Sequence, residues 1–156
     1  KVWQPAGMEC DAFYTLESDG GQEIGGSRAG MVLRDFGRFA EFVRNDGVID
    51  GRRVLPQGWV EAAATPAFVV PTPSVPDITH YGYSWWLGDG VMAALGHAGQ
   101  RIDIFRREDL SVVTLAALPQ PPYVPATDHD RRAEIVTFTQ AVRAACAAPN
   151  RESRPA

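Results

Sequence analysis

Apolar residues recur along this chain with two different periods. Over 33–44 they fall at Phe36, Phe39, Ala40 and Val43, the i, i+3, i+4, i+7 spacing that gives a helix one buried stripe. Asp35 in the first turn and Arg44 in the last complement the helix dipole. Val32 offers no side-chain cap at the start, and Asn45-Asp46-Gly47 supplies a stop. Pro56 opens a second helix over 57–64, with proline in its first turn. The longest helical pattern is 131–147. Asp128 is its N-cap. Ile135, Phe138, Val142 and Cys146, spaced 3, 4 and 4, are expected to pack on the sheet.

The strand signal is concentrated in 92–118. Two β-prone apolar runs flank Arg106-Arg107-Glu108-Asp109, the pattern of a β-hairpin. The run 110–118 is almost uniformly apolar, as expected of a strand covered on both faces. The run 92–105 carries Gly96, His97, Ala98 and Gly99 where a plain core strand carries Val and Ile. Glycine in a strand marks close approach by another backbone or a ligand. An aromatic segment, 81–87, reads as a third strand, turned back by Gly88-Asp89-Gly90. Asp50-Gly51 centres a smaller turn. Pro66, Pro71, Pro73 and Pro76 predict an extended surface loop through Asp77. The expected fold class is therefore α+β: a three-stranded antiparallel meander packed with a long C-terminal helix, plus an N-terminal helical and loop region. One domain covers 1–147, and 148–156 form a polar, mobile tail.

Composition narrows the function. The chain has 156 residues, 45% apolar and 22% charged, which fits one soluble globular domain rather than a disordered segment. Its net charge of −4 argues against a nucleic-acid grip. No apolar run approaches the roughly 18 residues of a membrane span. Lys1 is the sole lysine beside fourteen arginines, so no mechanism can use an internal lysine of these residues. Cys10 and Cys146 are too few for a disulfide framework and are expected as buried thiols. Gly25-Gly26-Ser27-Arg28-Ala29-Gly30 lacks the Gly-Lys-Ser/Thr of a phosphate loop and departs from G-x-S-x-G at Ala29; a turn before a helix explains it. Asp128-His129-Asp130 cannot all face one ion, and capping accounts for Asp128. No metal or cofactor is expected. His80 is placed at a loop rim, and one of Trp85 and Trp86 should pack inward, since neighbours alternate across a strand.

Several pieces carry a further likeness: Gln4-Pro5-Ala6-Gly7-Met8, Gly25-Gly26-Ser27, Leu33-Arg34-Asp35-Phe36-Gly37-Arg38-Phe39, Arg53-Val54-Leu55-Pro56 with Trp59, Tyr81-Gly82-Tyr83-Ser84-Trp85-Trp86, and His97-Ala98-Gly99-Gln100. In this order they resemble the C-terminal part of the serine β-lactamase and penicillin-recognising superfamily, within it the class C β-lactamase-related esterases and 6-aminohexanoate-dimer hydrolases. The likeness covers about 2–147 and implies a partial β-lactamase/transpeptidase-like fold. It also implies acyl-enzyme chemistry on an ester, a small amide or a β-lactam, using a Ser-x-x-Lys nucleophile. His97-Ala98-Gly99 resembles the third motif of that family, Lys-Thr-Gly or His-x-Gly. By the same resemblance His97 and the backbone N–H of Gln100 are the catalytic groups, Gln100 as an oxyanion donor, while Ala98 and Gly99 leave room for substrate. Such a donor, fixed before charge develops, is typically worth on the order of 10²–10³ in rate.

No Ser-x-x-Lys can be written in these residues. The resemblance therefore implies a hydrolase truncated at its N-terminus, inactive or nearly so alone, with one sheet edge left unpaired. Its expected partners are a small ester or amide in the complete protein, its missing N-terminal region, or a second copy through that edge. Two alternatives stand beside this one: a non-enzymatic binding or assembly module that reuses the fold, and a self-contained hydrolase pairing Ser27 with His97 or His80. The compartment is open.

Overall fold

The computed structural model of the protein describes residues 2–25, 29–71, 75–96, 98–118 and 131–147. A two-stranded ribbon comes first, β1 (Phe13–Tyr14) against β2 (Ala29–Gly30). The first long helix, α1 (Leu33–Arg44), has the predicted bounds and lacks a side-chain cap at Val32. Asp35 does more than face the helix dipole. It is buried, and its carboxylate accepts the backbone N–H groups of Glu9 at 2.8 Å and Cys10 at 3.1 Å, tying the N-terminal segment to α1. A small hairpin follows, β3 (Val48–Ile49) with β4 (Arg52–Arg53). Its central residues Asp50 (φ 48°) and Gly51 (φ 74°) both have positive φ, the signature of the predicted tight turn. The second helix, α2 (Trp59–Ala63), is shorter than expected.

Among the described residues the main sheet has six strands, where three were expected. They are β5 (Phe68–Val69), β6 (Ile78–Tyr81), β7 (Trp86–Gly88), β8 (Met92–Leu95), β9 (Arg101–Phe105) and β10 (Leu110–Thr114). All neighbours are antiparallel and in chain order, from β5 at one edge to β10 at the other. Both long predicted strands are interrupted. Within 81–87 the chain reverses: Gly82 N–H donates to the Trp85 carbonyl at 2.8 Å, and Ser84 takes φ 60°. A Cβ at Gly82 would lie 2.3 Å from the Ala63 carbonyl oxygen, so the turn presses on the end of α2 and only glycine fits. Within 92–105 the chain leaves the sheet after Leu95 and re-enters at Arg101. The run 110–118 is likewise corrected: its regular part ends at Thr114, is half-buried throughout, and forms an edge.

Alternation along the strands sends side chains to two cores. On one face Leu87, Met92, Ile102 and Ile104 meet Ala40, Phe42 and Val43 of α1 and Val60 and Ala63 of α2. On the other, Ile78, Ala93 and Phe105 meet Val75 and Val136, the latter on α3 (Arg131–Ala147). Trp85 joins the first core and Trp86 the second.

Helix α3 has the predicted bounds but turns a different face inward. Its buried residues are Val136 and Thr139, while Phe138 is 58% exposed and Cys146 is exposed. The reason lies in what the sheet offers. Asp103 accepts from the Thr139 hydroxyl, and the Phe105 ring lies 4.7 Å beneath the Arg143 guanidinium. Cation–π attraction and a satisfied buried carboxylate outweigh the packing of a plain apolar stripe. Cys10, like Cys146, is exposed rather than buried.

Candidate functional site

The predicted site residues that are described, Ala98, Gly99 and Gln100, share the connection between β8 and β9. Gly96 N–H donates to the Gln100 carbonyl at 2.7 Å and closes the loop. The Gln100 side chain braces it from inside: Oε1 accepts the Ala98 N–H at 2.9 Å, and Nε2 donates to the Ala116 carbonyl at 3.0 Å. Leu118 N–H donates to the Ala98 carbonyl at 2.9 Å, so the loop runs beside the continuation of β10. Gly99 has φ 90°, and a Cβ there would come within 2.7 Å of Leu118. The expectation of a bare strand at 96–100 is thus corrected to a braced turn, because a residue with φ 90° cannot continue a β ladder. His97, Ser27 and Asp128-His129-Asp130 lie outside the described residues.

Directly behind this loop is a cluster of buried charges. The Arg101 guanidinium, 4% exposed, contacts two carboxylates. Its Nε lies 2.6 and 2.7 Å from the two oxygens of Asp103, and its Nη atoms lie 3.1 and 2.5 Å from those of Asp77. Asp103 is fully buried. Burial pushes its carboxyl up to about 6, against the pull of Arg101 and with the push of Asp77. Sequence reasoning passed over this cluster. Its signal was the alternation Arg101-Ile102-Asp103-Ile104, which puts two opposite charges on one face of a strand whose other face is apolar.

The opposite end of the same strands opens on a cleft of about 480 Å³, lined by Leu87, Met92, Ile104, His80, Glu61 and Arg107 among others. Two of its arginines are paired with carboxylates. Arg106 bonds Glu61 at 2.8 Å, and Arg44 contacts Glu41 at 2.5 Å and also Asp109. Hydrogen bonding to Arg44 holds the Glu41 carboxyl below its ordinary value despite some burial. His80 shares a 2.9 Å hydrogen bond with the Thr79 hydroxyl. It sits by this cleft and not by the connection between β8 and β9. Among the described residues no three His, Cys, Asp or Glu side chains converge in a way that could hold a metal ion, and no helix is long and apolar enough to cross a membrane.

No family model matches the sequence. Over 133 residues the chain is 28% identical to 6-aminohexanoate-dimer hydrolase of Paenarthrobacter ureafaciens, a match covering 77% of this chain and 32% of that enzyme. This chain therefore spans under a third of the length of the curated relative it matches, and what it is similar to is a hydrolase.

Proposed function

We propose that this chain forms one wall of an acyl-transfer site in a serine hydrolase of the β-lactamase-related type, acting on an ester, a small amide or a β-lactam. One observation carries the reading: the similarity over 133 residues to an enzyme named for hydrolysing a 6-aminohexanoate dimer. The loop geometry supports it. Gln100 braces its own loop through its side chain, which bonds the Ala98 N–H and the Ala116 carbonyl. An amide held in place beforehand is the kind of donor that stabilises developing negative charge on a carbonyl oxygen. Ala98 and Gly99 keep the surface beside it low, and the resemblance makes His97 the residue of this motif that acts on the substrate. The nucleophile comes from outside these residues.

The test joins this chain to the part of the Paenarthrobacter enzyme outside the matched segment and measures hydrolysis of a chromogenic ester and of the 6-aminohexanoate dimer. Turnover is expected only when both parts are present. Gln100→Pro, which removes the N–H as well as the brace, should cost on the order of 10²–10³ in rate, well beyond Gln100→Ala, which removes the brace alone. Equal losses in the two variants refute the donor role. Turnover by this chain alone that disappears in Ser27→Ala refutes the whole reading.

A second reading, a non-enzymatic assembly module, is favoured by one feature. The edge strand β10 adjoins α3, whose Phe138 is 58% exposed beside Ile135 and Val142. An edge left unpaired among the described residues and an apolar stripe invite association, including with a second copy. Light scattering across a concentration series decides it; a monomer throughout, together with acylation of the joined protein by a serine-directed inhibitor, rejects the module.

A further inference from the structure

Arg101 follows Gln100 directly and forms, with Leu95, the last ladder pair before the 96–100 loop. On one side the loop is tied to 116–118 through the Gln100 side chain and the Leu118 N–H. On the other its anchor is Arg101, and Arg101 is held by ions. Such an arrangement is a poor source of stability. Desolvation of buried charges commonly outweighs their attraction, and apolar residues of the same volume often give an equally stable protein. What apolar packing does not supply is direction. A planar guanidinium gripped by two carboxylates, one through Nε and one through both Nη atoms, is fixed in position and in rotation.

We propose that the Asp77–Arg101–Asp103 cluster is the positioning device of the 96–100 loop, fixing where the chain turns out of the sheet by tying the first residue of β9 to the segment before β6 and, through Thr139, to α3. Each tie comes from a different part of the fold. Asp77 belongs to the segment entering β6, Asp103 to β9 itself, and Thr139 to the helix over that face. The loop therefore reports on all three through one side chain. The idea deepens the reading of this loop as a reaction-facing wall and rests on it for its functional meaning. Its test reads loop order, not turnover, so the two fail separately.

The protonation of Asp103 enters the same device, because the neutral acid accepts less strongly from Arg101 than the carboxylate does. Among the described residues, the groups acting on Asp103 are Arg101 on its own strand, Asp77 from the segment before β6 and the uncharged Thr139 from α3. Its ladder neighbours Ala93 and Val112 are uncharged. Of the other charges on α3 and the β9–β10 turn, Arg143 and Glu108 are paired with each other at 2.7 Å over Phe105, Glu134 is exposed, and the half-buried Arg132 is two helical turns before Thr139. The carboxyl is held up to about 6, inside an accessible range.

The experiment is amide hydrogen exchange and NMR on the full chain. In the variant Asp77→Asn/Arg101→Met/Asp103→Leu the denaturation midpoint is expected at or above that of the unaltered chain. The Ala98 and Leu118 amides, both bonded within the loop contacts, should nevertheless exchange about tenfold faster or more. Unchanged exchange at these two amides overturns the proposal, as does loosening confined to α3. A second arm uses Asp103→Asn, in a His97→Gln background that removes the imidazole from the segment being read. With Asp103 intact, the Ala98 and Gln100 amide shifts should step near pH 6; with Asp103→Asn the step should vanish. A step that survives overturns the proposal, and this arm decides alone if the apolar variant fails to fold.

Discussion

At the Leu95–Arg101 end of the β8–β9 hairpin, charged atoms are buried and every contact is directional: Arg101 between two carboxylates, Gln100 between two backbone groups. At the Met92–Phe105 end Arg106 stands near the surface, paired with Glu61, and the more buried Arg44 reaches out to the half-exposed Glu41 and the exposed Asp109, around an open cleft. The strands between are only four and five residues long. Two kinds of electrostatics thus operate within one hairpin. Buried ions interact strongly but cost desolvation, so losing one partner is severe. Exposed ions interact through water and salt, so losing one matters little. The rigid end is where the proposed donor lies, and rigidity before reaction is what such a donor requires.

The sharpest way to break this comparison is Arg101→Ala. It leaves Asp77 and Asp103 facing each other without a cation, and should destabilise the fold by about 3–5 kcal/mol at neutral pH, measured by urea denaturation. A loss under about 1 kcal/mol would place this end in the same class as exposed pairs. Next comes pH. Asp103 has an ordinary value of 3.8 and stands near 6 in the fold. The folded state binds its proton more tightly than the unfolded chain, so this contribution is full below about pH 3.8 and is lost as pH rises through 6. Two pKa units set its size at about 3 kcal/mol at most. Asp35 runs the other way. Burial alone would raise it, but the Glu9 and Cys10 amides and Arg38 hold it below its ordinary value, so its contribution is present above that value and lost on acidification. Denaturation midpoints across pH should fall between pH 4 and 6, with Asp103→Asn flattening that fall and Asp35→Asn flattening the acid-side loss.

A third, smaller effect concerns the loop alone. Gly99→Val forces a β-branched residue into φ 90° and against Leu118. The expected cost is about 1–3 kcal/mol of backbone strain. Amide exchange should show that cost released by local opening at Ala98 and Leu118, with the α1 core protected as before. Global unfolding without local opening would mean that the loop and the sheet are a single unit.

Local periodicity made α1 and α3 legible to the residue, because a 3.6-residue stripe specifies a helix without reference to anything else. The strands were less legible where their breaks depend on distant residues. Gly82 turns the chain because the carbonyl of Ala63, on another element, leaves no space for a Cβ; a tyrosine-rich run by itself reads as continuous. The inward face of α3 was misjudged for a related reason. Phe138 is the more apolar residue, yet Thr139 and Arg143 have partners waiting on the sheet. In the candidate site, grouping Ala98, Gly99 and Gln100 needed only adjacency. The brace made by the Gln100 side chain depends on Ala116, brought alongside by the return of β10, and no spacing within the motif encodes it. Arg101 and Asp103 were readable as two charges sharing one strand face; Asp77, 24 residues away from Arg101 in sequence, was not.

The smallest expected effect lies at the other end of the hairpin and completes the contrast. Glu61 is 75% exposed and joins α2 to the β9–β10 turn through Arg106. A flexible pair in contact with water pays in side-chain entropy nearly what it gains in attraction, so Glu61→Ala should change stability by about 0–1 kcal/mol. Because both charges are solvated, whatever effect exists should shrink further as salt rises from about 0.05 to 0.5 M, where screening shortens to a few ångström. The Arg101→Ala loss, arising in a region salt does not enter, should hold constant over the same range. If the two losses instead fall together with salt, water reaches Arg101 as freely as Arg106, and the hairpin has one kind of electrostatics along its whole length.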